Sequence, residues 1–153
     1  MRRTTTAGSA RCLALAAVLA AGLVCGCDSG PVESAQEQVR QLLVGTWLRE
    51  YQDEGAVVRR VLVLQSDGSF REMSRVAQGA APVAEHVHEG EWLFDGTNLK
   101  RRYLRVDGQL PAAPMVPFAA FELRFPSRNE FVGVDNVHRR EVRYRRVAQG
   151  TEP

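Results

Sequence analysis

The pattern of hydrophobic and polar residues changes its period around residue 45. Before that point, Val39, Leu42 and Leu43 recur at the spacing of one helix face, and Ser34 and Glu37 fit a capping box. A glycine two residues after Leu43 is suited to end the helix. The pattern predicts one short helix, which is too short to be stable unless it packs against the rest of the protein.

From Thr46 onwards the pattern alternates with the period of β-strands. This pattern predicts eight strands: Thr46–Tyr51, Val57–Gln65, Ser69–Val76, Glu85–Phe94, Asn98–Val106, Phe118–Phe125, Glu130–Asp135 and Arg139–Val147. Asp67-Gly68 and Asp95-Gly96 are tight hairpin signals, because both residues of a type I′ turn need positive φ. Short links favour pairing in chain order, and a long meander tends to close, since closure removes unpaired edges. The predicted fold class is mainly β: an antiparallel up-and-down barrel of about eight strands, preceded by one short helix.

The start of the chain has the layout of a secretory signal. Arg2, Arg3 and Arg11 form a positive region, and Leu13–Val24 is an uncharged run rich in alanine and leucine. That run is too short for a comfortable membrane span. Small residues then lead to Cys27. We therefore expect residues 1–26 to be removed on export.

Val24-Cys25-Gly26-Cys27 resembles the lipobox of bacterial lipoproteins. The resemblance implies that the signal is cut before Cys27, which then carries a palmitate-type lipid anchor in a membrane of the cell envelope, with the domain facing the periplasm. Asp28 resembles the inner-membrane retention signal of enteric bacteria, which other lineages do not follow, so the choice between inner and outer membrane stays open. The expected organisation is a signal peptide (1–26), a lipidated cysteine with its tether (27–33), a barrel domain (34–148) and a tail (149–153).

The positions of the cysteines and the net charge restrict how the predicted domain is stabilised and what it is expected to bind. All three cysteines lie in the first 27 residues, so the predicted domain has no disulfide framework and depends on its core. Removing the three arginines of the predicted signal from the 20 Lys and Arg residues leaves 17, against 18 Asp and Glu, a net charge of about −1. This balance argues against a nucleic-acid-binding protein, which is expected to be basic.

Gly45-Thr46-Trp47, directly after the helix and at the first strand, resembles the G-x-W motif of lipocalin-like domains, and Gly90-Glu91-Trp92 adds to the likeness. The resemblance covers roughly residues 44–147. It implies that Trp47 plugs the closed end of the barrel and that an arginine of the last strand, Arg145 or Arg146, stacks on its indole ring. A barrel this small can also be filled by its own side chains, with no space left for a ligand.

Aromatic residues are the candidates for lining a ligand pocket. We take the pocket residues to be Tyr51, Phe70, Trp92, Tyr103 and Phe121. The alternative is that these side chains simply form the core that so small a domain needs. Arg101, Arg102 and Arg105 either contact an anionic group or form the solvated face of a strand.

His86 and His88 lie two residues apart, which places both imidazoles on one face of a strand. With His138 they form a weak candidate for a zinc or copper site, and the alternative is a pair of solvated histidines. The sequence has no G-x-S-x-G elbow, no P-loop and no cysteine nucleophile in the predicted domain. We therefore expect neither an enzyme nor a cofactor.

Three functions follow, each with its own structural signature. The leading hypothesis is a membrane-anchored, non-enzymatic module that binds a small apolar or amphipathic ligand, or a lipid, at the mouth of the barrel. A protein-interaction or inhibitor module of the cell envelope is the alternative, and an exposed apolar patch around Leu110–Phe118 would favour it. A metal-binding lipoprotein would bring the three histidines together.

Overall fold

The computed structural model describes residues 31–115 and 117–153 of the chain. It contains one helix, α1 (Pro31–Leu43), and eight strands. The strands are β1 (Gly45–Asp53), β2 (Ala56–Leu64), β3 (Ser69–Ala77), β4 (Ala84–Phe94), β5 (Asn98–Val106), β6 (Phe118–Ser127), β7 (Glu130–Asp135) and β8 (Glu141–Val147). Cys27 and the predicted signal peptide lie outside the described residues.

The eight strands pair antiparallel in chain order, and β8 closes on β1 to complete a barrel. The predicted fold class is therefore confirmed. Closure pairs every strand on both sides and leaves no free edge for another strand to join. Residues 31–153 carry a hydrophobic core and pair every strand on both sides, so this part of the chain has what an independently folding domain requires.

Most predicted strand boundaries lie within two residues of the structure, and two of the differences, in the helix and the last strand, have a physical reason. The helix begins at Pro31 rather than Ser34, so Ser34 lies within the first turns and is not the N-cap. Proline suits the first position of a helix because its missing N–H would have no partner there. The last strand begins at Glu141 rather than Arg139, because the Asp135 carboxylate accepts hydrogen bonds from the backbone N–H groups of Val137 and His138 and holds a turn.

The predicted tail is attached to the outside of the barrel. The guanidinium of Arg59, an outward-facing residue of β2, donates a hydrogen bond to the backbone carbonyl of Glu152 at 3.2 Å. Leu48 and Val61 also face outwards on β1 and β2, yet both are buried. The C-terminal residues therefore lie back along this side of the sheet.

The two ends of the barrel are built differently. Helix α1 lies across one end, beside the β2–β3 and β4–β5 turns, and we call this the closed end. The hairpin between β1 and β2 and the longer links that follow β3, β5 and β7 surround the other end, which we call the open end.

Candidate functional site

Trp47 lies at the centre of the closed end. Its side chain is fully buried, and its indole Nε1 donates a hydrogen bond to the carbonyl of Leu43 at 2.8 Å, on the last turn of α1. Phe131 packs edge-on against it with ring centroids 4.7 Å apart. The tryptophan thus joins the helix to the barrel and closes this end.

Arg146 is the arginine that stacks on Trp47. Register pairs Trp47 with Arg146, and the guanidinium lies 4.2 Å from the ring centroid. It also donates hydrogen bonds to the carbonyls of Val44, at 3.0 Å, and Leu42, which α1 leaves without partners. Arg145 faces outwards instead and pairs with Glu50 at 3.2 Å.

Gly45 makes room for this arginine. A Cβ atom at position 45 would lie 2.3 Å from Nη1 of Arg146, and the φ angle of Gly45 is +139°, a conformation that other residues rarely adopt. The glycine and the tryptophan of the predicted motif therefore act on the same arginine. The motif describes how the closed end is built, not a ligand site.

The five predicted pocket residues lie at three levels of the barrel. Trp92 is buried at the closed end, where its Nε1 donates to the carbonyl of Gln65 at 2.9 Å. Phe70, Tyr103 and Phe121 lie in the middle, and their rings surround one guanidinium. Tyr51 lies nearer the open end. Phe70 and Trp92 belong to the hydrophobic core, as the alternative reading of these aromatics expects.

The guanidinium that these three aromatic side chains surround belongs to Arg101. It lies between 5.4 and 5.5 Å from the centroids of all three rings, and the side chain is almost fully buried. Of the three arginines considered on β5, only Arg101 points inwards, whereas Arg102 and Arg105 are exposed. The expectation of a solvated strand face is therefore wrong for Arg101.

Glu72 is the carboxylate that balances Arg101. Nη1 of Arg101 lies 2.5 Å from Oε2 of Glu72, and Nη1 of Arg60 lies 3.3 Å from Oε1 of the same carboxylate. Burial acts against a charge on Glu72, but the two guanidinium groups hold the pKa of Glu72 below its usual value. Burial likewise opposes the charge on Arg101, yet Glu72 keeps the pKa of Arg101 above its usual value. All three groups are therefore ionised.

A third arginine stands beside this cluster. Arg49 on β1 is the register partner of Arg60 on β2, and both face the lumen. The guanidinium of Arg49 stacks on Tyr51 with its carbon 3.9 Å from the ring centroid. Among the residues that the structure describes, no carboxylate lies within 4.0 Å of Arg49. The middle of the lumen thus holds three arginines and one glutamate.

The three histidines do not form a metal site. His86 Nδ1 lies 3.0 Å from Asp107, whereas His138 lies in the β7–β8 turn and pairs with Asp135 at 3.4 Å. His88 faces the lumen beside Tyr103. Within residues 31–115 and 117–153, no group of three or more His, Cys, Asp or Glu side chains could hold a metal ion.

A groove of about 690 Å³ lies outside the barrel, on the far side of its wall from the arginine cluster. The outward-facing side chains of β4, β5 and β6 form its floor, among them Leu93 and Lys100, and Val137 of the β7–β8 turn lies at its side. Phe118 on its edge is 61% exposed and Val137 is 81% exposed. Leu110, at the other end of the predicted apolar stretch Leu110–Phe118, is also exposed.

The strand pattern contained a signal for the charged cluster that our interpretation of the sequence did not use. Arg60 alternates with Val58 and Leu62, which places it on the inward face of β2, and Glu72 shares a face with Phe70. A charged residue on an apolar strand face is the feature that marks such a site.

Comparison with known proteins does not assign this chain to a family. The sequence matches no protein-family model, and no curated protein is similar to it at a significant level. Among the described residues, no helix has the length and apolar character needed to cross a membrane. The function has to be argued from the barrel itself.

Proposed function

We propose that this protein is a lipid-anchored binding module of the bacterial cell envelope, non-enzymatic, whose barrel takes a small amphipathic ligand through its open end. The observation that carries the proposal is the difference in solvent access along the lumen. Trp47, Leu62 and Phe131 at the closed end are almost completely buried, whereas the inward-facing Arg49 and Arg60 are only half-buried. Solvent therefore reaches the side chains of Arg49 and Arg60.

The charged middle of the lumen favours an amphipathic ligand over a purely apolar one. A hydrocarbon placed against Arg60 would remove a charged group from water without offering it a hydrogen bond, which is costly. A ligand with a polar head and an apolar body matches both the guanidinium groups and the surrounding aromatic rings. Binding sites of this kind combine apolar walls with a few fixed polar groups.

Native mass spectrometry of Asp28–Pro153, purified from a periplasmic preparation, tests this proposal. An added mass that disappears on organic extraction is the expected result, and the extract identifies the ligand class. A bare mass that stays unchanged after addition of fatty acids or lysophospholipids would mean that the barrel is filled by its own side chains. The ligand-binding proposal would then be abandoned.

The anchor is tested separately. Cys27→Ser is expected to abolish labelling of the protein with an acyl-chain probe in cells and to cause the uncut precursor to accumulate. Acyl labelling that survives this substitution would show that the lipobox interpretation is wrong, without affecting the argument for the lumen.

A protein-interaction module is the second candidate, and the outer groove is the observation that favours it. Phe118 and Val137 expose apolar surface that the fold does not use. A photo-crosslinking residue at position 137 is expected to give one discrete adduct in intact cells, whereas the same residue at Arg75, on the outer face of β3, gives none. Equal labelling at both positions would remove this candidate.

A further inference from the structure

The lumen carries more positive charge than its carboxylate can balance. Arg60 and Arg101 share Glu72, and Arg49 has no carboxylate within reach among the described residues. Like charges directly opposite each other on neighbouring strands destabilise a sheet, and Arg49 and Arg60 are such a pair. The excess charge therefore calls for an anion at this level of the barrel.

The tyrosines nearby do not supply that anion. Burial, followed by the charge of Glu72, raises the pKa of Tyr144 to about 12. Burial also raises the pKa of Tyr103. Both phenols are neutral at physiological pH, and the imidazole of His88 is at most a further positive charge. The described residues therefore supply no further counter-charge at this level.

Unused hydrogen-bond donors point to the same conclusion. Nε of Arg60 and Nε of Arg101 are both buried from solvent and have no hydrogen-bond partner. A buried donor without a partner costs free energy, and more so when it is charged. Arg101 is almost completely buried, whereas the Arg60 side chain is 26% exposed, so a ligand entering from the open end meets Arg60 first.

The register also orders the lumen by chemistry. One layer of inward-facing residues contains Arg49, Arg60 and Ser74, which follow one another across β1, β2 and β3. The next layer towards the open end contains Tyr51, Val58 and Val76 in the same order. Seen from the open end, the apolar layer therefore comes first and the polar layer lies deeper in the barrel.

We propose that Arg49 and Arg60 bind the anionic head group of a single-chain amphiphile, such as a carboxylate, with its apolar chain extending past Tyr51 and Val58 towards the open end. This inference rests on the proposed ligand-binding function and names the class of ligand and its orientation. A carboxylate accepts several hydrogen bonds at once, and guanidinium groups provide donors in a matching planar arrangement.

The experiment titrates Asp28–Pro153 with laurate and with 1-dodecanol by isothermal calorimetry, below the concentration at which laurate forms micelles. The two probes share a chain length and differ in charge. Laurate is expected to bind at least about tenfold more tightly than dodecanol, the effect of one hydrogen bond to a charged group. Arg49→Gln is expected to weaken the binding of laurate by about tenfold and to change the affinity for dodecanol by less than about twofold.

Arg75→Gln is the matched control, because Arg75 is an exposed arginine on the outer face of the same sheet. It is expected to leave both affinities unchanged, and a loss of laurate binding equal to that in Arg49→Gln would overturn the inference. Arg60→Gln provides a second inward variant, with circular dichroism to confirm folding.

The two proposals fail in different ways. Equal affinities for laurate and dodecanol would show that the barrel binds ligands but that the arginines do not select an anion. Binding of neither probe, together with a bare native mass, would overturn the ligand-binding function and this inference with it.

Discussion

The closed and open ends of the barrel use the same strands for opposite purposes. At the closed end the surrounding inward-facing residues are apolar and buried, and Arg146 stacks on Trp47 and donates hydrogen bonds to the carbonyls of Leu42 and Val44. Towards the open end the same strands turn Arg49, Arg60 and Glu72 inwards, and water reaches two of them. The closed end therefore contributes most to the stability of the fold, and the charged residues further along the lumen form the candidate binding site. Substitutions at the two places should have different effects on the free energy of unfolding.

The largest expected effect is at the closed end. Trp47→Ala removes the side chain that fills this end and its hydrogen bond to Leu43, so we expect a loss of about 3–5 kcal/mol in the free energy of unfolding. Tyr51→Ala, two residues along the same face, truncates a half-buried ring and should cost much less. Urea unfolding of both variants measures the difference, and similar losses would contradict the division between the ends.

Removal of the buried carboxylate is expected to come second. Glu72→Gln leaves Arg60 and Arg101 without a counter-charge, and breaking a buried ion pair in this way typically costs about 3 kcal/mol or more. Arg60→Gln leaves Glu72 still paired with Arg101 and should cost less. A larger loss for Arg60→Gln, measured by the same urea unfolding, would show that Arg60 and not Glu72 is central to the cluster.

A smaller effect is expected at the glycine of the closed end. Gly45→Ala places a methyl group against Arg146 and strains a backbone with positive φ, so we expect a loss of about 1–3 kcal/mol. Gly79 also has positive φ, at +53°, but no atom within 4 Å of an added Cβ, so Gly79→Ala is the control for a left-handed glycine without a steric contact. Equal losses in thermal unfolding would show that displacement of Arg146 contributes nothing.

The fold was predictable because its signals are local. Turn residues such as Asp67-Gly68 and Asp95-Gly96 divide the strands, and short links leave little choice of pairing. The start of the helix was less predictable, since Pro31 and Ser34 both suit a first turn.

The candidate site depends on information that a single strand does not contain. Alternation assigns a residue to a face, but its depth in the barrel depends on the register of all the strands. Trp92 and Tyr51 were placed in one pocket for that reason, although they lie at different levels. Register also decided between Arg145 and Arg146, because neighbouring residues face opposite sides and only the partner of Trp47 can stack on it.

The smallest expected effect is a pH dependence at the open end. Burial lowers the pKa of His88, so the folded protein binds a proton there less readily than the unfolded chain does. Between the ordinary value of about 6.5 and the lower folded pKa, the unfolded state binds more protons, and stability should fall as the pH decreases through this window. His88→Gln removes the titrating group, so its unfolding free energy should vary less with pH from 7 to 5. Urea unfolding at successive pH values tests this, with His138→Gln as the control on the exposed β7–β8 turn. If the two variants have the same pH profile, burial does not hinder protonation of His88, and water reaches the lumen at the level of its register partner Glu72.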